Sequence, residues 1–137
     1  MAITIHSQNR FEDVWAFFLQ WLTLLKGPEP EAAFRLLDGC SADQFDSITF
    51  EEFLETFSGD PNERHDYDDI ELEDEEILEN CKADSSVSPM KGGEFSALLY
   101  MPLRSGLHDL VPRFHFVQIS GDQFRVFLHI DENVLIL

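Results

Sequence analysis

His108 and Asp109 stand side by side in this sequence, and a carboxylate that orients an imidazole is a familiar way to make a general base. Adjacent residues on a strand point to opposite faces, so these two would act together only across a turn. His115 shares a phase with Arg113, and His129 with Arg125 and Phe127, which places both histidines on the outward, solvent side of the strands that carry them. The chain contains no G-x-S-x-G nucleophile turn and no glycine-rich phosphate loop. Asp66, Asp68 and Glu71 are close enough in sequence to raise calcium, but an EF-hand loop needs a central glycine and flanking helices, and the sequence offers neither. His65 beside Asp66 is at best a weak metal ligand. The expectation is a protein without catalytic residues, metal or cofactor.

Charge is the stronger signal. Lys and Arg number 9 against 27 Asp and Glu, a formal net charge of −18, which argues against nucleic acid or an anionic bilayer as direct ligand and for a basic partner. The stretch from Asp60 to Asp84 carries 12 acids against Arg64 and Lys82. Within it Asp66, Asp68, Asp69, Glu71, Glu73, Asp74, Glu75 and Glu76 surround Tyr67, the aromatic residue best placed to anchor an interface. Phe127 and Tyr100 are secondary anchors. The alternative reading of such a run is a solvated face.

These residues need a scaffold, and 137 residues with 44% hydrophobic content suit one domain. Phe11, Val14, Trp15, Phe18, Leu22 and Leu25 fall at helical steps within residues 8 to 26, and Phe17, Trp21 and Leu24 make a second apolar stripe, so this helix is covered on more than one side. Gly27 and Pro28 stop it. A short helix follows with Ala33, Phe34 and Leu37, ending at Gly39. Thr49 and Glu52 form a capping box before Phe50, Phe53, Leu54 and Phe57, which makes residues 1–59 the helical part. In residues 60–93, Ile70 and Leu72 alternate with acids, which predicts a long, bulged or broken acidic edge strand that resists self-pairing, and then a loop from 84 to 93. Residues 94–137 read as antiparallel strands. Phe95, Ala97, Leu99, Met101 and Leu103 alternate, as do Leu110, Phe114 and Phe116, and then Phe124, Val126, Leu128 and Ile130. Ser105-Gly106 and Ser120-Gly121-Asp122 supply turns, and Val134 to Leu137 returns to the sheet. The class is α+β, with N-terminal helices packed on a curved antiparallel sheet. The start of the chain lacks the pattern of a secretory signal. Val14 to Leu25 is too short and too interrupted to span a bilayer. Cys40 and Cys81 read as free thiols in a reducing cytoplasm.

The order of one long helix, two short helices and a curved antiparallel sheet resembles the nuclear transport factor two-like cone fold. Met101-Pro102-Leu103-Arg104, Ser105 to Leu110, and Ile130-Asp131-Glu132-Asn133-Val134-Leu135 are similar to a small bacterial family of cone-like domains, with His108 standing where that family usually has serine. The resemblance implies architecture and leaves function open, since the fold carries enzymes, ligand carriers and toxin-neutralising immunity proteins. Cone-fold enzymes place an ionisable group inside the cone, whereas the inward positions here, from Phe95 to Ile130, are apolar. The expected function is a cytoplasmic immunity-type protein whose acidic segment covers the basic cleft of a toxin that handles nucleic acids or nucleotides. The alternative is a cone-fold domain with an internal pocket for a small molecule or a reaction.

Overall fold

The computed structural model describes residues 3–42, 46–47, 70–104 and 112–130. The helix expected near the N-terminus is α1, Arg10–Lys26. Its two apolar stripes merge into one wide face. Val14, Trp15, Phe17, Phe18, Trp21, Leu22 and Leu25 are all buried. Glu12 and Asp13 occupy its first turn and Lys26 its last, charges that complement the helix dipole. Gly27 closes it by donating its N–H to the Leu24 carbonyl at 3.2 Å. The short α2, Glu31–Arg35, lies against α1, and the buried indole of Trp21 donates Nε1–H to the Ala33 carbonyl at 3.0 Å.

The first part of the chain is not wholly helical, as the sequence suggests it should be. Strand β1, Ile3–Thr4, precedes α1, and β2, Gly39–Ala42, and β3, Asp46–Ser47, follow α2. These join β4, Ser86–Pro89, β5, Phe95–Leu98, β6, Arg113–Ser120, and β7, Gln123–Ile130, in one sheet. The order is β3-β2-β7-β6-β5-β4, with β1 also paired to β7. The expected meander is present, because β4 through β7 pair antiparallel in succession. Gly121, with φ of +51°, makes the β6–β7 turn at the expected Ser120-Gly121-Asp122, in the left-handed region that glycine enters without strain. The departure from an all-antiparallel sheet is β2, which runs parallel to β7 from Gly39 opposite Phe127 to Ala42 opposite Ile130. Asp38 secures that entry, donating its N–H to the Val126 carbonyl at 2.7 Å and accepting the Val126 N–H on Oδ2 at 2.8 Å.

One face of the sheet is the floor of the core. Phe95, Ala97, Phe114, Phe116, Phe124, Val126 and Leu128 are buried and cluster with the α1 face, as alternation requires. Phe95 stacks on Phe116 at 4.7 Å between ring centroids. Phe17 meets Phe114 and Phe116 edge-on at 5.9 and 6.0 Å, a favoured aromatic geometry.

The acidic segment is the main correction. In place of a long edge strand, residues Glu75–Asp84 form a helix, α3. Asp74 caps it, and Ile77 and Leu78 are half-buried while Cys81, at the next helical step, is fully buried. The alternation at Ile70 and Leu72 yields a single bridge, Ile70 to Leu103. Within the expected loop after residue 84, Ser86–Pro89 is β4, which ends the sheet. Two exposed serines and a proline suit an edge position there. The capping box at Thr49 and Glu52, the turn at Ser105 and Gly106, and the terminal run from Val134 lie outside the described residues.

Candidate functional site

Of the acidic residues singled out in the sequence, Asp66, Asp68 and Asp69, with Tyr67, lie outside the described residues. The structure brings Glu71, Glu73, Asp74, Glu75 and Glu76 together at the N-terminus of α3. The segment is held from below. Ile70 is fully buried, its carbonyl accepts Lys26 Nζ at 2.6 Å, and the Glu71 N–H donates to the Pro102 carbonyl at 2.8 Å. Asp74 then turns the chain, its Oδ1 accepting the N–H groups of Glu76 and Ile77 at 3.0 and 3.2 Å, which satisfies two amides that a helix start leaves orphaned. Glu71 Oε2 accepts the Glu73 N–H at 3.2 Å. Glu73, Asp74, Glu75 and Glu76 are exposed, and carboxylates here are favoured by the helix dipole.

The opposite side of α3 faces the protein. Lys82 Nζ donates to Glu12 Oε2 on α1 at 2.8 Å, and that hydrogen bond holds the ammonium above its usual range. Cys81 is a free, buried thiol, and its Sγ lies 3.6 Å from the Met101 carbonyl. Burial, with Asp84 adding to it, pushes the thiol up to about 11, so it is protonated and unreactive at neutral pH. The side chain of Cys40 lies outside the described residues. The arrangement therefore presents carboxylates outward from a helix anchored by apolar contacts and the Lys82–Glu12 ion pair.

The histidines sort as their phases require, with one amendment. His115 faces Phe127 across β6 and β7 on the sheet's outer side, with ring centroids 6.5 Å apart, and lies 5.7 Å from the ring of His129. This face is less open than the sequence suggests, since Arg113, His115, Phe127 and His129 are all half-buried. Glu94 Oε2 lies 3.4 Å from His115 Nε2, an ion pair only when the imidazole is protonated. His108 and Asp109 lie outside the described residues. Tyr100, a secondary anchor by sequence, packs against the core. Among the described residues no group of three or more His, Cys, Asp or Glu is placed to hold a metal ion.

Sequence reasoning missed one constellation altogether. His6, just before α1, accepts no role from its sequence neighbours, yet its own N–H and its Nδ1 both reach Asp13 Oδ2, at 2.7 and 2.8 Å. No spacing rule joins residues seven apart across a helix start; the contact forms where the chain passes from β1, paired to β7 at Ile3 and Thr4, into α1.

Searches of family models, curated proteins and solved structures found no match to the chain.

Proposed function

We propose that this is an acidic, immunity-type protein of the cytoplasm, built on a cone-like fold, that neutralises a cognate bacterial toxin by covering its basic active-site cleft. The observation that carries this reading is how the side chains divide. Apart from Gln118, exposed near the end of β6, the inward side chains of β5, β6 and β7 whose burial is described are apolar and buried in the core that α1 covers, while the acids at the start of α3 project outward. An acidic surface on a chain of net charge −18 steers basic proteins toward it, with association rates on the order of 10⁸–10⁹ M⁻¹s⁻¹ attainable at low salt. Speed matters to a protein that must reach a toxin before its substrate does. No helix among the described residues is long and apolar enough to cross a membrane.

Asp74 caps α3, so the charge variant leaves it in place and changes Glu71, Glu73, Glu75 and Glu76 to Gln. Co-expression with the product of the neighbouring gene shows whether the chain restores growth, and stopped-flow binding to that purified product at two ionic strengths reads the mechanism. The expected result is protection, with the charge variant slowed mainly in association and less sensitive to salt. Absence of protection sinks the immunity reading, and an unchanged association rate removes the acidic helix from it.

A further inference from the structure

Where the N-terminal segment crosses α1 it leaves a groove of about 380 Å³, lined by Ile3, Thr4 and His6 on one side and by Asp13, Ala16, Phe17 and Gln20 on the other. That volume lies in the range of small-ligand sites, about 300–1,000 Å³. The helix wall is a single stripe, since residues three and four apart share a face. Ala16 creates the space, because it is exposed and its methyl group is the smallest side chain in the wall. Phe17 forms a firm floor, its ring fixed edge-on against Phe114 and Phe116.

The polar end of the groove is preorganised. Both bonds from His6 fall on Asp13 Oδ2, leaving Oδ1 for another donor. The same bonds hold the Asp13 carboxyl below its ordinary range, so it is charged at neutral pH. The Gln20 amide supplies a further acceptor.

We propose that this groove binds an organic cation made of an aliphatic stem ending in an ammonium or guanidinium group. The stem lies on Ile3, Ala16 and Phe17, and the head meets Asp13 Oδ1, with the Gln20 amide as an additional acceptor. The strongly negative molecule raises the local concentration of such ligands. This site is separate from the acidic end of α3, and its test needs no protein partner.

The experiment is a two-dimensional amide NMR titration of the whole chain with agmatine and, in a second series, with N-acetyl-arginine N-methylamide. Salt at about 0.15 M screens loose association with exposed carboxylates. The expected result is saturable shifts centred on residues 3–6 and 13–20. Binding should be about tenfold weaker in Asp13→Asn, the loss of one charge-assisted hydrogen bond, and abolished in Ala16→Leu, which puts a branched side chain where the stem would lie while leaving every carboxylate in place. Binding of agmatine alone supports a free small cation as ligand; binding of both supports a site that also admits a basic side chain. Shifts that do not saturate, that centre on Glu73 to Glu76, or that survive Ala16→Leu overturn the proposal.

Discussion

Gly39 on β2 stands in register with Phe127 on β7, so close that a β carbon built on it would lie 2.7 Å from the phenyl Cδ1. The parallel pairing of β2 with β7 depends on that missing side chain. Gly39→Ala must push the half-buried ring aside or pull β2 away, and the expected cost is about 1–3 kcal/mol, typical of overpacking. Urea unfolding reads it directly. A combined Gly39→Ala, Phe127→Leu chain should recover part of the loss, because the smaller side chain makes room for the methyl group.

Phe116 is fully buried, stacked on Phe95 and edge-on to Phe17. Phe116→Ala should lower unfolding stability by about 3–5 kcal/mol. A loss below about 1 kcal/mol would mean that the core re-forms around the vacancy, contrary to the close packing of α1 on the sheet.

Asp74 separates two roles for the acids of α3. Asp74→Ala removes both cap bonds and should cost about 0.5–2 kcal/mol, whereas Asp74→Asn keeps an acceptor and should cost less. Thermal melts of the two variants make the comparison. Equal losses would show that charge at the helix start, and not the cap geometry, stabilises this end.

The His6–Asp13 contact predicts a pH signature. Hydrogen bonds from the His6 amide and ring lower the Asp13 carboxyl from its ordinary 3.8. A group depressed in the folded state contributes stability above its unfolded value and loses it as the pH falls through the folded one. Stability should therefore decline below about pH 4 more steeply in the parent than in Asp13→Asn. Parallel stability curves for the two chains down to pH 2 would contradict the assignment.

Cys81 should resist alkylation. With its thiol raised to about 11 and its side chain buried, a Cys40→Ser chain should react with iodoacetamide slowly at pH 8 and rapidly once unfolded in urea, since the thiolate is the nucleophile. Mass spectrometry gives both rates. Fast labelling of the folded chain would show that α3 opens readily from the core.

Much of the core was legible because burial imposes periodicity. Trp15, Phe18, Leu22, Phe114, Phe116 and Val126, each set on an apolar face by its spacing, are all buried in one cluster. Three features were not legible, for two different reasons. The alternation at Ile70 and Leu72 imitates a strand over a few residues, and it outweighed the Asp74 cap and the helical spacing of Ile77 and Cys81 that decide the conformation. Strand β2 has no local signature, since its Gly-Cys-Ser-Ala sequence is held by backbone bonds to a strand more than eighty residues further on. The His6–Asp13 pair was illegible for the same reason, because tertiary pairing of β1 brings it together.

β7 carries β6 along one edge and both β1 and β2 along the other. During translation this strand emerges only after the aromatic face of α1, β1 and β2 have all left the ribosome. Until then the aromatic face of α1 can meet only β4 to β6, while β1 and β2 wait for the strand that ties them to the sheet. Nucleation by such distant pairings is intrinsically slow, and damage within residues 123–130 unstitches three neighbours at once.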